Sequence, residues 1–228
     1  MRRKDFLLRA GAAPLVAWAS LGPAAALAAD EQKTIDGIRE ALAKGTENAV
    51  KSLGRADGYL ANAAVKILLP PSAQKLADTA RNLGFGGKVD ELILAMNRAA
   101  EQAAPLAAPH FASAIRGLGI RDVQAILKAG DTGATAFFER TTRTNLHAAF
   151  KPSVSQSIER AGAGRAYKSL MERAQRVPML AAKGFDLDEH VTGKALDGLF
   201  LVVGEEEKKF RSNPLARTSS ALKAAFGR

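Results

Sequence analysis

Cysteine is absent from all 228 residues. A disulfide framework, a thiolate metal site and a lipid-anchoring cysteine are therefore excluded, while an oxidising compartment is permitted. Aromatics are only 6% of the chain, and alternating runs rich in Val, Ile and Thr are nearly missing, which argues against a sheet. There is no GxSxG elbow and no HExxH pair, and His110, His147 and His190 lie far apart in sequence. The segment Gly84 to Lys88, GFGGK, lacks Walker spacing and a Ser or Thr after Lys88. It reads as a glycine-rich turn between helices rather than a phosphate loop. No cofactor motif occurs, so no cofactor is expected, and no metal site either. Asp186, Asp188 and His190 alternate in a way that could hold a cation. A helix-capping role for Asp186 with Glu189 three residues later explains the same carboxylates with less machinery.

The first 29 residues read as an export signal. Arg2, Arg3, Lys4 and Arg9 form a cationic start, the stretch around Leu15 to Leu21 is apolar, and Ala26-Leu27-Ala28 supplies a small-x-small cleavage pattern. Cleavage before Ala29 or Asp30 is expected, with a periplasmic destination. RRKDFLL resembles a twin-arginine signal imperfectly, and an ordinary Sec signal fits as well. The apolar run, broken by Pro14 and Pro23, is too short for a membrane span. Without the leader's four basic residues and one acid, 29 Lys and Arg face 22 Asp and Glu, a net +7. The excess is spread out, with no dense basic run, so nucleic acid is not expected as a partner and membrane-surface contact is weak at most.

From residue 30 to 228 one all-α domain is expected, a bundle of about eight to ten helices with short connections. Ile35, Ile38, Leu42, Ala49 and Val50 share one helix face, with Thr34 as a cap. Val65 to Leu69 is a short apolar run before Pro70-Pro71 and reads as an irregular, partly buried crossing. Val89, Leu92, Ile93, Met96, Ala99, Ala100 and Ala103 trace another face. Phe137, Phe138, Leu146 and Phe150 mark a helix expected to end at Lys151-Pro152. The next helix is weakened by glycines in Arg160 to Ala166, RAGAGRA. Asp186 opens a helix of about 187–204, apolar nearly all round from Ala195 to Gly204 and so expected to be buried. Glu205, Glu206 and Glu207 read as a solvated face, with Glu205–Lys209 and Glu207–Arg211 as i, i+4 pairs.

The segments MNRAAEQAAP, DTGATAFFERTT, FKPSV, DLDEHV, ALDGLF and EEEKKFRSNPLART follow one another in this order. Together they resemble the bacterial family of domain of unknown function 4197, from about Ile35 to Phe226. The resemblance implies an exported helical chain and supplies no established catalytic residue. Members favour an aromatic where His190 stands, and a Thr where this chain has Ser219.

Candidate ligand-binding residues are Asn97, Arg98, Glu101, Asp197 and Arg217. Asp197, as the one charge inside ALDGLF, is expected to be buried and paired, with Arg98 as partner. A structural ion pair competes with a site for an acidic head group at this position. Arg217, with Arg211, Asn213 and Thr218, lies near a helix start suited to anions. The chain therefore reads as a non-catalytic periplasmic binding or accessory protein. It would hold an apolar or amphiphilic small molecule, or a partner helix of another envelope protein. The alternatives are a structural factor of the envelope with no ligand pocket, and an enzyme of unknown class.

Overall fold

The computed structural model describes residues 23–175, 185–213, 219–220 and 222–223, with side chains from residue 31 except at residues 170 and 173–175. All regular structure among them is helical. The helices are α1 (Pro23–Leu53), α2 (Pro71–Ala80), α3 (Gly86–Ala103), α4 (Ala107–Arg116), α5 (Ile120–Lys128), α6 (Gly133–Arg160), α7 (Ala163–Gln175) and α8 (Leu187–Ser212). α2, α3 and α4 follow without intervening loops, joined by a kinked π turn at Arg81–Phe85 and a 3-10 turn at Ala104–Leu106. The described residues thus form six helical segments, the second of them kinked at Gly84, not eight to ten separate helices.

The reason lies in how glycine and proline are absorbed. Gly84 takes φ +84°, outside helical geometry, so α2 and α3 meet there at a kink with no loop between them, at the glycine-rich turn predicted for GFGGK. Pro105 sits in the first turn of the 3-10 segment, where its missing N–H is no loss. Pro152 lies inside α6, which continues to Arg160, so the stop expected at Lys151-Pro152 is absent. A true break comes at Gly162, φ +67°, where the glycine-rich RAGAGRA segment divides α6 from α7. Helix α1 likewise starts at Pro23, so Thr34 lies within it and does not cap it.

Most of the core is one large cluster drawing on every helix from α1 to α8, with two small clusters beside it, around Phe210 and around Leu76 and Met171. α8 crosses its centre, packing most extensively on α6 and α1. Leu187, Val191, Ala195, Leu196, Leu199, Phe200, Val202 and Val203 are all buried, as their spacing predicts. Each fully buried Leu, Val or Phe contributes about 1.5–3 kcal/mol from water exclusion alone. Phe111 anchors the α4 side, meeting Phe138 and Phe200 edge-on at 5.9 and 6.0 Å. No described helix is long and apolar enough to cross a membrane.

Candidate functional site

Between α1 and α2 the chain leaves helical geometry and crosses the bundle. Its backbone polar groups must be paired by something other than a helix ladder, and α3 supplies the partners. Asn97, fully buried, accepts the Ile67 N–H through Oδ1 at 2.9 Å and donates from Nδ2 to the carbonyls of Ile67 and Ile93, each at 2.8 Å. One turn on, the buried Glu101 carboxylate accepts the N–H groups of Tyr59 at 3.1 Å and Leu60 at 3.2 Å. Arg98 donates to Glu101 at 2.6 Å and to Asp57 at 2.8 Å. Both carboxylates hold the guanidinium charged, Glu101 more strongly. Asn97, Arg98 and Glu101 therefore do come together, and their hydrogen bonds go to the crossing segment and to α3 itself.

Tyr59 links this node to α8. Its hydroxyl donates to the Ala195 carbonyl at 2.7 Å, and burial with the nearby Glu101 charge pushes its pKa strongly up. Gly198 makes the contact feasible. A Cβ there would lie 2.9 Å from Tyr59 Cε1 and 3.0 Å from Val65 Cβ.

Asp197 does not belong to the Arg98 group. It is exposed, with its side chain 47% accessible, and it pairs with Arg143 at 2.5 Å and Lys194 at 3.1 Å. The expectation of a buried Asp197 paired with Arg98 is corrected by its position on the outer strip of α8. His190, Lys194, Asp197, Leu201, Glu205 and Lys208 follow one another along that strip. Partial burial raises the Asp197 pKa, but the hydrogen bonds and charges of Arg143 and Lys194 outweigh it and hold the carboxylate below its ordinary range.

Asp197 continues a row of ion pairs between antiparallel α6 and α8. Arg143 also binds Glu139, and Glu189 takes His147 at 2.8 Å and Lys151 at 2.9 Å. Asp186 caps α8 by accepting the Glu189 N–H at 2.9 Å; the Glu189 carboxylate is engaged with α6. At the far end, Glu207 is buried, contrary to the solvated-face reading. It accepts the N–H groups of Ala134 and Thr135, the Thr135 hydroxyl and Arg211 Nε. Thr132, the N-cap residue of α6, makes no side-chain cap bond. A carboxylate from α8 thus closes the start of α6. Glu206 is buried as well, bonded to Asn48 and Lys209, so Lys209 pairs with Glu206 and not with Glu205. Arg217 and Thr218 lie outside the described residues.

The crossing segment and the outer strip of α8 enclose a groove of about 370 Å³, open to solvent. Its walls are Val65, Leu68, Leu69 and Pro70 on one side, and His190, Lys194, Asp197 and Leu201 on the other. Leu68 and Leu201 are exposed, 53% and 45%, although both are large and apolar. Neither was legible as a site residue. Leu201 carries a signal, however, since its spacing from Lys194 and Asp197 puts an apolar side chain on a polar strip. A second groove of about 430 Å³ lies across Leu201, beside Thr135, Glu139 and Lys208. A third, of about 480 Å³, lies between the π turn and the start of α7. Among the described residues no group of three or more His, Asp or Glu is placed to hold a metal ion.

No curated protein and no solved structure matches the chain. A family model described as a protein of unknown function, DUF4197, matches residues 28–227, and the chain belongs to that family.

Proposed function

We propose that this is an exported, non-catalytic binding protein of the cell envelope, and that it binds at the groove between residues 64–71 and α8. The observation that carries this reading is the groove itself. Its volume falls within the range of about 300–1,000 Å³ usual for ligand sites. It pairs apolar walls with a few charged groups, and it exposes Leu68 and Leu201 to water. The charges beside it point the same way. Asp197 is held ionised by two cations, which suits it to fixing geometry and not to exchanging protons. The leader of residues 1–29 supports export, and N-terminal sequencing of the mature protein should return Ala29 or Asp30. A retained Met1 would sink the periplasmic assignment.

The binding reading is tested by native mass spectrometry of the protein purified from its own envelope, with Leu201→Arg alongside. An adduct present in the wild type and lost in the variant is expected. A bare mass for both would favour a structural role without a ligand.

A further inference from the structure

The crossing segment carries a detail that says what kind of ligand the groove takes. From Val65 to Leu69 burial alternates strictly: Val65, Ile67 and Leu69 are buried, and Lys66 and Leu68 are exposed. That period of two belongs to an extended strand, yet no strand lies beside it among the described residues. On one edge, the Asn97 amide takes both the N–H and the carbonyl of Ile67, as a neighbouring strand would. On the other edge, the groups belong to Lys66 and Leu68. The Lys66 N–H turns back to the Asn62 carbonyl at 2.8 Å, and the Leu68 carbonyl accepts from His190 Nε2 at 2.8 Å. The Lys66 carbonyl and the Leu68 N–H have no hydrogen-bond partner among the described residues. The His190 bond shows that this edge faces α8, and the groove lies there.

A carbonyl at one residue and an N–H two residues later, both on one edge, are the two groups that a single residue of a parallel strand engages. Its N–H meets the first and its carbonyl meets the second. We infer that the groove binds an extended polypeptide segment of a partner protein, which adds as a short parallel strand to the Lys66–Leu68 edge. This inference rests on the groove being the binding site. Leu68 and Leu201 contact the segment's apolar side chains. Lys66, which has no acidic partner among the described residues, favours an acidic side chain beside the paired residue. A helix cannot use the open edge, because its own N–H and carbonyl groups are already paired.

The test is selection of a random heptapeptide phage library against the full mature chain, followed by a backbone N-methyl scan of the selected peptide. Loss of one pairing hydrogen bond should lower affinity at least about tenfold at one residue, with its neighbours nearly unaffected. Leu68→Pro, which deletes the free N–H, should weaken binding about tenfold more than Leu68→Ala, which keeps it. If Leu68→Pro fails to fold, the N-methyl scan decides alone. A peptide that tolerates methylation at every position, a peptide that binds as a helix, or no selected peptide at all would overturn the inference. Dodecanoate binding separates this failure from that of the groove. Dodecanoate binding lost in Leu201→Arg leaves the groove as the site and removes the strand; peptide and dodecanoate both indifferent to Leu201→Arg removes both.

Discussion

Replacing Glu207 with Ala should be among the most damaging changes on α8, although the residue sits in an acidic, lysine-rich stretch. Its carboxylate accepts the Ala134 N–H at 3.1 Å, the Thr135 N–H and hydroxyl at 2.8 Å each, and Arg211 Nε at 2.9 Å. Only 5% of the side chain is accessible, and that of Arg211 only 15%. Truncation leaves two N–H groups at the start of α6 without a protein acceptor. It also removes the carboxylate partner of a mostly buried guanidinium, which bonds the Ile126 carbonyl on α5 at 3.2 Å. Breaking a buried pair from one side costs about 3–5 kcal/mol, and the lost helix-terminus bonds fall within that figure rather than adding fully to it. For a chain of this length that corresponds to roughly 6–20 °C in Tm. Urea titration followed by circular dichroism reads the change, with Glu205→Ala as the control. Glu205 is exposed, and its replacement should stay within about 0.5 kcal/mol. Equal effects of the two substitutions would refute the claim that α8 closes the start of α6.

Two glycines on α8 should respond in opposite directions. Gly193→Ala meets nothing within 4 Å and should stabilise by about 0.5–1 kcal/mol, whereas Gly198→Ala must displace Tyr59 and Val65 and should destabilise by about 1–3 kcal/mol less that helix gain. A Gly198→Ala protein melting above wild type would show that the crossing segment is not packed as described. Arg143→Ala and Asp197→Ala should couple by less than about 1 kcal/mol, because both side chains are more than a third exposed, while Arg98→Ala and Asp197→Ala should add without coupling. Coupling confined to the Arg98 pair in a double-mutant cycle would reverse that assignment. The Asp197 pKa is lowered below its ordinary 3.8 in the folded protein, so its contribution is present above that value and is lost as pH falls through the lower folded value. Asp197→Asn should accordingly flatten the acid limb of the stability profile below about pH 4, and an unchanged limb in acid titration would count against the pairing.

Helix positions were legible because apolar period and capping depend on neighbours three or four residues away. The buried stripe of α8 and the Asp186 cap are of this kind. Glu207 was not legible, because its burial depends on where the start of α6, more than 70 residues earlier, meets α8. Asp197 was misread for a different reason. Its apolar neighbours in sequence suggested burial, although the strip of His190, Lys194, Glu205 and Lys208 at helical spacing already places it outside. The crossing segment hid its extended form because Leu68, the residue that faces water, is itself apolar. The family resemblance, for its part, implied a helical chain that the apolar period had already indicated, and it supplied no residue roles.

Asn97 explains how an extended segment persists in a helical protein, and the explanation can be tested without any ligand. A strand has two edges, and one side-chain amide can complete only one of them. The Ile67 N–H is buried and bonded to Asn97, so its exchange with solvent requires local opening of the crossing segment from α3. The Leu68 N–H, next in sequence, has no acceptor among the described residues and should exchange close to the rate of an unstructured chain. Adjacent amides in one segment should therefore differ by orders of magnitude in hydrogen exchange measured by NMR. Asn97→Ala should abolish the Ile67 protection while leaving Leu68 unchanged. It should also cost about 1–3 kcal/mol for each Ile67 group left buried and unpaired. Equal protection of the two amides in the wild type would mean that the outer edge is already covered by the chain itself, and no strand could then be added there.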